Sequence, residues 1–181
     1  MVVFRSQKKA SQKVQVLAVA ALFSALSIVF GKVLTYSPAD TILRFSFENL
    51  PILLAGIAFG GFVGALTGVV ADLAGCLLVG YAINPLITLG AALIGFFGGG
   101  LFLLFQRLPL MWRLLFSVLL SHLLGSVLVK TFGLAVYYDM PFYVVLLWRL
   151  LNYTIVAVAE WLVLYVILKN TAIRRQLEKL S

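Results

Sequence analysis

The sequence predicts an all-α integral membrane protein, a bundle of six transmembrane helices with both termini on the cytoplasmic side. Three observations carry this expectation. The chain is 63% hydrophobic and 11% charged, with a mean hydropathy of +1.11, whereas a soluble domain has about 45–50% apolar and about 25% charged residues. The apolar residues form long runs separated by Gly, Pro and polar punctuation, as membrane-spanning helices require. The basic residues gather beside alternate ends of those runs. At 181 residues the chain suits one transmembrane domain over 1–181, with cytoplasmic tails at 1–13 and 170–181.

The first 13 residues are polar and basic, and the first helix is expected from Val14 to Thr35. Ala18-Val19-Ala20 resembles a signal-peptide cleavage site. The apolar run behind it outlasts the ~7–15 residues of a signal core, so it reads as a retained membrane helix. Tyr36 to Leu43 contains Pro38 and reads as a loop. The second helix starts near Glu48 and ends by Gly60, short for a full crossing. A Gly60-Gly61 turn leads into a third helix from Phe62 to Val79, and 80–85 is a loop with Gly80 and Pro85. The fourth helix is expected over Leu86–Gln106, the fifth over Trp112–Ala135 and the sixth over Phe142–Leu168.

Of 14 basic residues, Arg5, Lys8, Lys9, Lys13, Arg107, Arg113, Lys169, Arg174, Arg175 and Lys179 fall at the ends that share a side with the termini. The positive-inside rule makes that side cytoplasmic. Lys32, Arg44, Lys130 and Arg149 remain, and on this topology they sit in the outer half with Asp40, Glu48 and Asp139. The net charge of +8 is thus a topology signal and gives no case for nucleic acid. Cys76 is the single cysteine and His122 the single histidine, so neither an internal disulfide nor a metal cluster is expected. No GxxxxGK[ST] sequence is present, which excludes ATP hydrolysis by that loop. No cofactor is implied.

The chemistry-bearing residues are few and deep. Asp72 lies mid-helix, with Gly64 and Gly68 preceding it at steps of four on one face. A carboxylate there must face a cavity or a partner, and the glycines let another helix approach. Arg149, Asn152, Tyr153, Val156 and Glu160 share one face of the sixth helix. Arg149 is too deep to snorkel and should meet an acidic group or ligand; an ion pair with Asp72 or Glu160 is the structural alternative. The fifth helix carries His122, Ser126 and Lys130, and His122 is expected to bond a neighbouring helix or, second, a ligand. Tyr81 and Phe47 belong to an outer cluster of aromatics able to form a membrane belt or to stack on a flat ligand. Small-residue stripes run along Ala18, Ala21 and Ala25 and along Ala91, Gly95 and Gly99, and internal packing is the expected role of each.

The longest motif runs Arg44-Phe45-Ser46-Phe47-Glu48-Asn49-Leu50-Pro51, continues through 54–60, and resumes from Gly64 to Asp72-Leu73. With Ala21-xxx-Ala25 and Arg149-Leu150-Leu151-Asn152, it resembles the substrate-binding S components of energy-coupling factor (ECF) vitamin transporters, folate-type. The resemblance implies a subunit of the bacterial plasma membrane that binds folate or a related vitamin on the outer side. It implies as partners a transmembrane coupling subunit, docked at Ala21 and Ala25, and two ATPase subunits. The S component topples to deliver its vitamin inward and is not itself an enzyme.

The residues suit folate, which joins a flat pterin to two carboxylates. Asp72 can accept from the pterin 2-amino and ring N–H, and Asn152 can both donate and accept at the pterin edge. Arg44, Lys130 or Arg149 can bind the carboxylates. Tyr81 or Phe47 can stack on the ring, His122 is a further candidate contact, and Arg44 with the 36–43 loop would form a lid. Thiamine, riboflavin or another heterocycle is the alternative ligand. A small intramembrane enzyme, lacking a nucleophile beside its single histidine, or a structural membrane subunit are the readings from other classes.

Overall fold

The computed structural model describes residues 2–33, 35 and 45–180. Apart from a single bridge residue at Phe45, their secondary structure is helical: α1 (Val2–Lys32), α2 (Asn49–Phe59), α3 (Gly61–Val79), α4 (Pro85–Leu104), α5 (Leu110–Tyr138), α6 (Phe142–Lys169) and α7 (Thr171–Leu180). Five of the described helices, all but α2 and α7, are long and apolar enough to cross a membrane. The second, of 11 residues, is apolar but shorter. Arg44, Asp40 and the expected 36–43 loop lie outside the described residues.

Both expected tails are helical. Residues 2–13 extend α1 without a break. After α6 the Asn170 side chain accepts from the Ala172 N–H at 3.0 Å and caps α7, a segment free of Pro and Gly.

Three helices meet at glycines. Gly60, at φ +96°, is the whole connection between α2 and α3, a backbone angle that favours glycine. It folds α3 back along α2, and α4 lies across both. A Cβ on Gly64 would sit 2.6 Å from the Gly56 Cα and 2.6 Å from the Gly95 carbonyl oxygen. Backbones therefore touch directly, the close approach that drives helix association where lipid removes the hydrophobic incentive. The Ala91-Gly95-Gly99 stripe is accordingly buried.

The α1 stripe behaves otherwise. Ala18, Ala21 and Ala25 are exposed, and the inward face is Ala20, Ser24, Ser27 and Gly31. The serines decide this: Ser24 Oγ donates to the Ala20 and Thr67 carbonyls and Ser27 Oγ to the Glu48 carbonyl at 2.6 Å. Hydroxyls turned to lipid would lack such inter-helix partners. Internal packing is thus corrected for α1 and holds for α4.

Leu53, Ile94, Leu114 and Leu164 form the fully buried centre, while Phe62, Leu77, Leu104, Leu151 and Val166 stand exposed around the bundle. An apolar exterior of this extent suits a lipid solvent.

The fifth helix is irregular. Its middle, His122–Val129, winds as π-helix, with the Lys130 N–H bonded to the Gly125 carbonyl. The wider turns shift the register of the side chains that follow them.

Candidate functional site: a polar cavity among the helices

A cavity of about 590 Å³ opens among α1, α3, α4, α5 and α6. Its wall residues come from segments far apart in sequence. Lys32 ends α1, Glu48 precedes α2, Asp72 and Cys76 come from α3, and Lys130 and Tyr138 from α5. Trp148, Arg149, Asn152 and Tyr153 come from α6, while Tyr81 and Met140 reach in from the loops after α3 and α5. Of the residues singled out from sequence, Asp72, Tyr81, Lys130, Arg149 and Asn152 all line this one cavity.

The charges alternate around it. Lys130 is only 5% exposed, and its ammonium reaches Glu48 Oε1 at 3.4 Å. Two glycines make room for this pair. A Cβ on Gly90 would fall 2.5 Å from Lys130 Cγ, and one on Gly31 would fall 2.8 Å from Glu48 Oε2. Asp72 borders the same small void as this pair; Thr88 Oγ1 donates to Asp72 Oδ2 at 2.6 Å, which fixes the carboxylate and leaves its other oxygen for a ligand. Lys32 Nζ stands 5.0 Å from the Tyr81 ring centroid, within cation–π range.

Arg149 does not take the ion pair that was its structural alternative; among the described residues it is in none. Its Nε donates to the Ser126 carbonyl at 3.0 Å, a group within the π-helical turns, and one Nη reaches the Tyr153 hydroxyl at 3.4 Å. The guanidinium also lies over the Tyr153 ring at 4.9 Å. It is held by neutral groups, so its charge stays available to an anion.

His122 is not in this wall. It is 1% exposed, its Nε2 lies 2.7 Å from Glu160 Oε2, and its Nδ1 lies 3.1 Å from Ser126 Oγ. Its ring stacks on Tyr153 at 5.4 Å. The cavity-facing tyrosine is thus backed by a buried His–Glu pair joining α5 to α6. Phe47, the other stacking candidate, is exposed and absent from the cavity wall.

Asn49 was not singled out from sequence, although it is the one polar residue in α2. It is fully buried, and among the described residues neither its amide oxygen nor its nitrogen has a partner. It lines a void of about 30 Å³ that shares Lys32, Glu48, Asp72 and Lys130 with the large cavity. That volume accommodates a water or two at ~10–15 Å³ each, or a small polar group of a ligand. A lone amide in an apolar helix is the same kind of signal as Asp72. Thr88 and Trp148 carry no comparable sequence signal.

The arrangement suits a ligand with a flat donor–acceptor edge and negative charge. It offers carboxylates, cations and aromatic rings around one cavity, within the ~300–1,000 Å³ of small-molecule sites. Among the described residues no group of three or more His, Cys, Asp or Glu could hold a metal ion.

Comparisons with known proteins bear on the family. A family model described as "ECF transporter, substrate-specific component" matches residues 15–175. No curated protein matches the sequence. A solved structure described as "Crystal structure of FolT bound with folic acid" superposes with a TM-score of 0.66 at 26% identity, covering 82% of this chain and 89% of that one. Another, "Structure and mechanism of the S component of a bacterial ECF transporter", gives a TM-score of 0.59 at 18% identity over 87% of this chain and 97% of that one, a likeness of fold. The family match runs from the middle of α1 into α7, and on that extent this chain belongs to the substrate-specific components of ECF transporters, multi-pass membrane subunits that bind a substrate and are not enzymes.

Proposed function

We propose that this chain binds folate, or a close pterin–glutamate relative, in the large cavity and hands it to an ECF module for import. The observation that carries the reading is convergence: Asp72, Tyr81, Lys130, Arg149 and Asn152, separated by up to three helices in sequence, line one cavity. The likeness to a FolT that binds folic acid supports the same ligand. In this reading Asp72 accepts from the pterin 2-amino and ring N–H groups, and Asn152 pairs with the same edge. Lys130 and Arg149 take the glutamate carboxylates, Tyr81 stacks on the ring system, and Arg44 closes over them. His122 acts from behind, holding Tyr153 in place through its stacking contact.

The chain crosses the bacterial plasma membrane six times with both termini in the cytoplasm, α2 making a short crossing, and the cavity faces outward. The exposed Ala21 and Ala25 dock against a transmembrane coupling subunit. Two ATPase subunits supply the energy, and the S component topples to release its vitamin inside.

Folate titration of purified protein in detergent tests the ligand, with Trp148 in the cavity wall as the fluorescent reporter and thiamine and riboflavin as controls. The expected result is saturable folate binding, weakened roughly tenfold or more in Asp72→Asn and Arg149→Ala. Folded protein that ignores folate and responds to one of the controls would refute the folate assignment.

A further inference from the structure

A second cavity, of about 310 Å³, lies at the other end of the bundle. It is framed by the end of α2, the end of α4, the start of α5, the end of α6 and the side of α7. Its apolar walls are Ile57, Ala58, Phe102, Leu110, Leu168 and Leu177, and into it face two guanidiniums, Arg113 and Arg174. No carboxylate lies among the described residues that line it.

Arg113 is the unusual member. It sits half-buried one turn inside the apolar span that begins at Leu110. Its Nε donates to the Phe102 carbonyl at 2.5 Å, and its guanidinium is stacked 3.5 Å over the Phe102 ring. Those two contacts fix the plane of the group and use one of its donors. The described residues give its two Nη atoms no partner. A charge held this way within an apolar helix is an expense that calls for a counter-charge. Arg174 stands on α7, just past the end of the α6 span at Lys169. Both guanidiniums are therefore at the level where apolar spans give way to polar chain, which is the depth of lipid headgroups.

We propose that this cavity binds the phosphate headgroup of an anionic phospholipid. Arg113 supplies two parallel donors to the phosphate oxygens, Arg174 completes the clamp from α7, and the apolar walls take the first segments of the acyl chains. A lipid is favoured over a soluble anion because six apolar side chains surround two cations. It is favoured over an acidic protein segment because the cavity lies at the boundary of the spans, where headgroups are present at high local concentration. The proposal is independent of the vitamin site, at the opposite end of α5 and α6.

The test uses delipidated full-length protein in detergent and brominated lipids as quenchers of Trp112, which adjoins Arg113, and Trp161, whose indole donates to the Met111 carbonyl at 3.0 Å. Brominated phosphatidylglycerol should quench saturably and brominated phosphatidylcholine should not. Arg174→Gln should weaken the quenching roughly tenfold, the order set by one charge-assisted hydrogen bond, with helix content by circular dichroism unchanged. Arg113→Gln is the second variant, with the same expected loss, should the first misfold. Equal quenching by both lipids, or a titration unmoved by either variant, would overturn the site. Displacement by inorganic phosphate at lipid-like concentration would reassign it to a free anion, and displacement by an Asp/Glu-rich peptide would reassign it to a protein partner; either overturns the lipid.

Discussion

Replacing His122 by leucine tests whether the buried pair behind the cavity holds α5 to α6. Glu160 is 0% exposed, and among the described residues its Oε2 is bound only by His122, at 2.7 Å, and its Oε1 has no partner. His122→Leu therefore leaves a carboxyl group wholly buried with neither oxygen satisfied. Orphaning one member of a buried pair costs about 3–5 kcal/mol. Glu160→Gln keeps one hydrogen bond to the imidazole and should cost about 1 kcal/mol. Replacing both residues by leucine removes the polar groups together and should recover most of the loss, since well-packed apolar pairs often equal the ionic ones they replace. With Glu160→Leu, which orphans His122 in turn, as the other single, the coupling between the two sites should be about 2 kcal/mol or more, far outside the scatter of independent sites. The assay is equilibrium unfolding by sodium dodecyl sulfate in mixed micelles, followed by the fluorescence of Trp161, next to Glu160. A His122→Leu cost below about 1 kcal/mol, or a double variant as unstable as the sum of the singles, would refute the reasoning. A variant of unchanged stability that no longer binds folate would move His122 into the ligand site itself.

Three more outcomes are expected. Gly95→Ala drives its methyl into the Gly64 backbone, whereas Gly100 has nothing within 4 Å of an added Cβ. The first should cost about 1–3 kcal/mol by overpacking and the second should stabilise α4 by roughly 0.5–1 kcal/mol, both read from the same unfolding assay. Gly90→Ala sets its methyl 2.5 Å from Lys130 Cγ and 2.8 Å from the Gly125 carbonyl oxygen, so Lys130 and the α4–α5 contact both shift, and folate titration should show affinity reduced roughly tenfold; unchanged affinity would remove Lys130 from the ligand site. Ala21→Leu with Ala25→Leu fills the outward stripe of α1 and should abolish uptake in proteoliposomes carrying the coupling module while leaving folate binding to the isolated subunit intact.

Much of this protein was legible without its structure because lipid narrows the options. A chain this apolar must satisfy its backbone internally, so helices follow from composition, and Gly60 and Pro85 mark their ends through backbone angles local to the chain. Asp72, Lys130, Arg149 and Asn152 stood out for the same reason, since each is too polar to face lipid and had to face a cavity or one another. What the tertiary structure alone decided is which. The π-helical turns from His122 to Val129 are not encoded in any periodicity, yet they turn His122 to Glu160 and send Lys130 across Gly90 to Glu48. The α1 stripe faces outward because Ser24 and Ser27 find carbonyls on α3 and at Glu48, partners that exist only once the helices are packed. Arg113 over Phe102 and Thr88 on Asp72 join residues 11 and 16 positions apart. Local sequence fixes the type of each element and the residues that lipid will not tolerate; the pairing of those residues depends on distances between helices, which only the packed bundle sets.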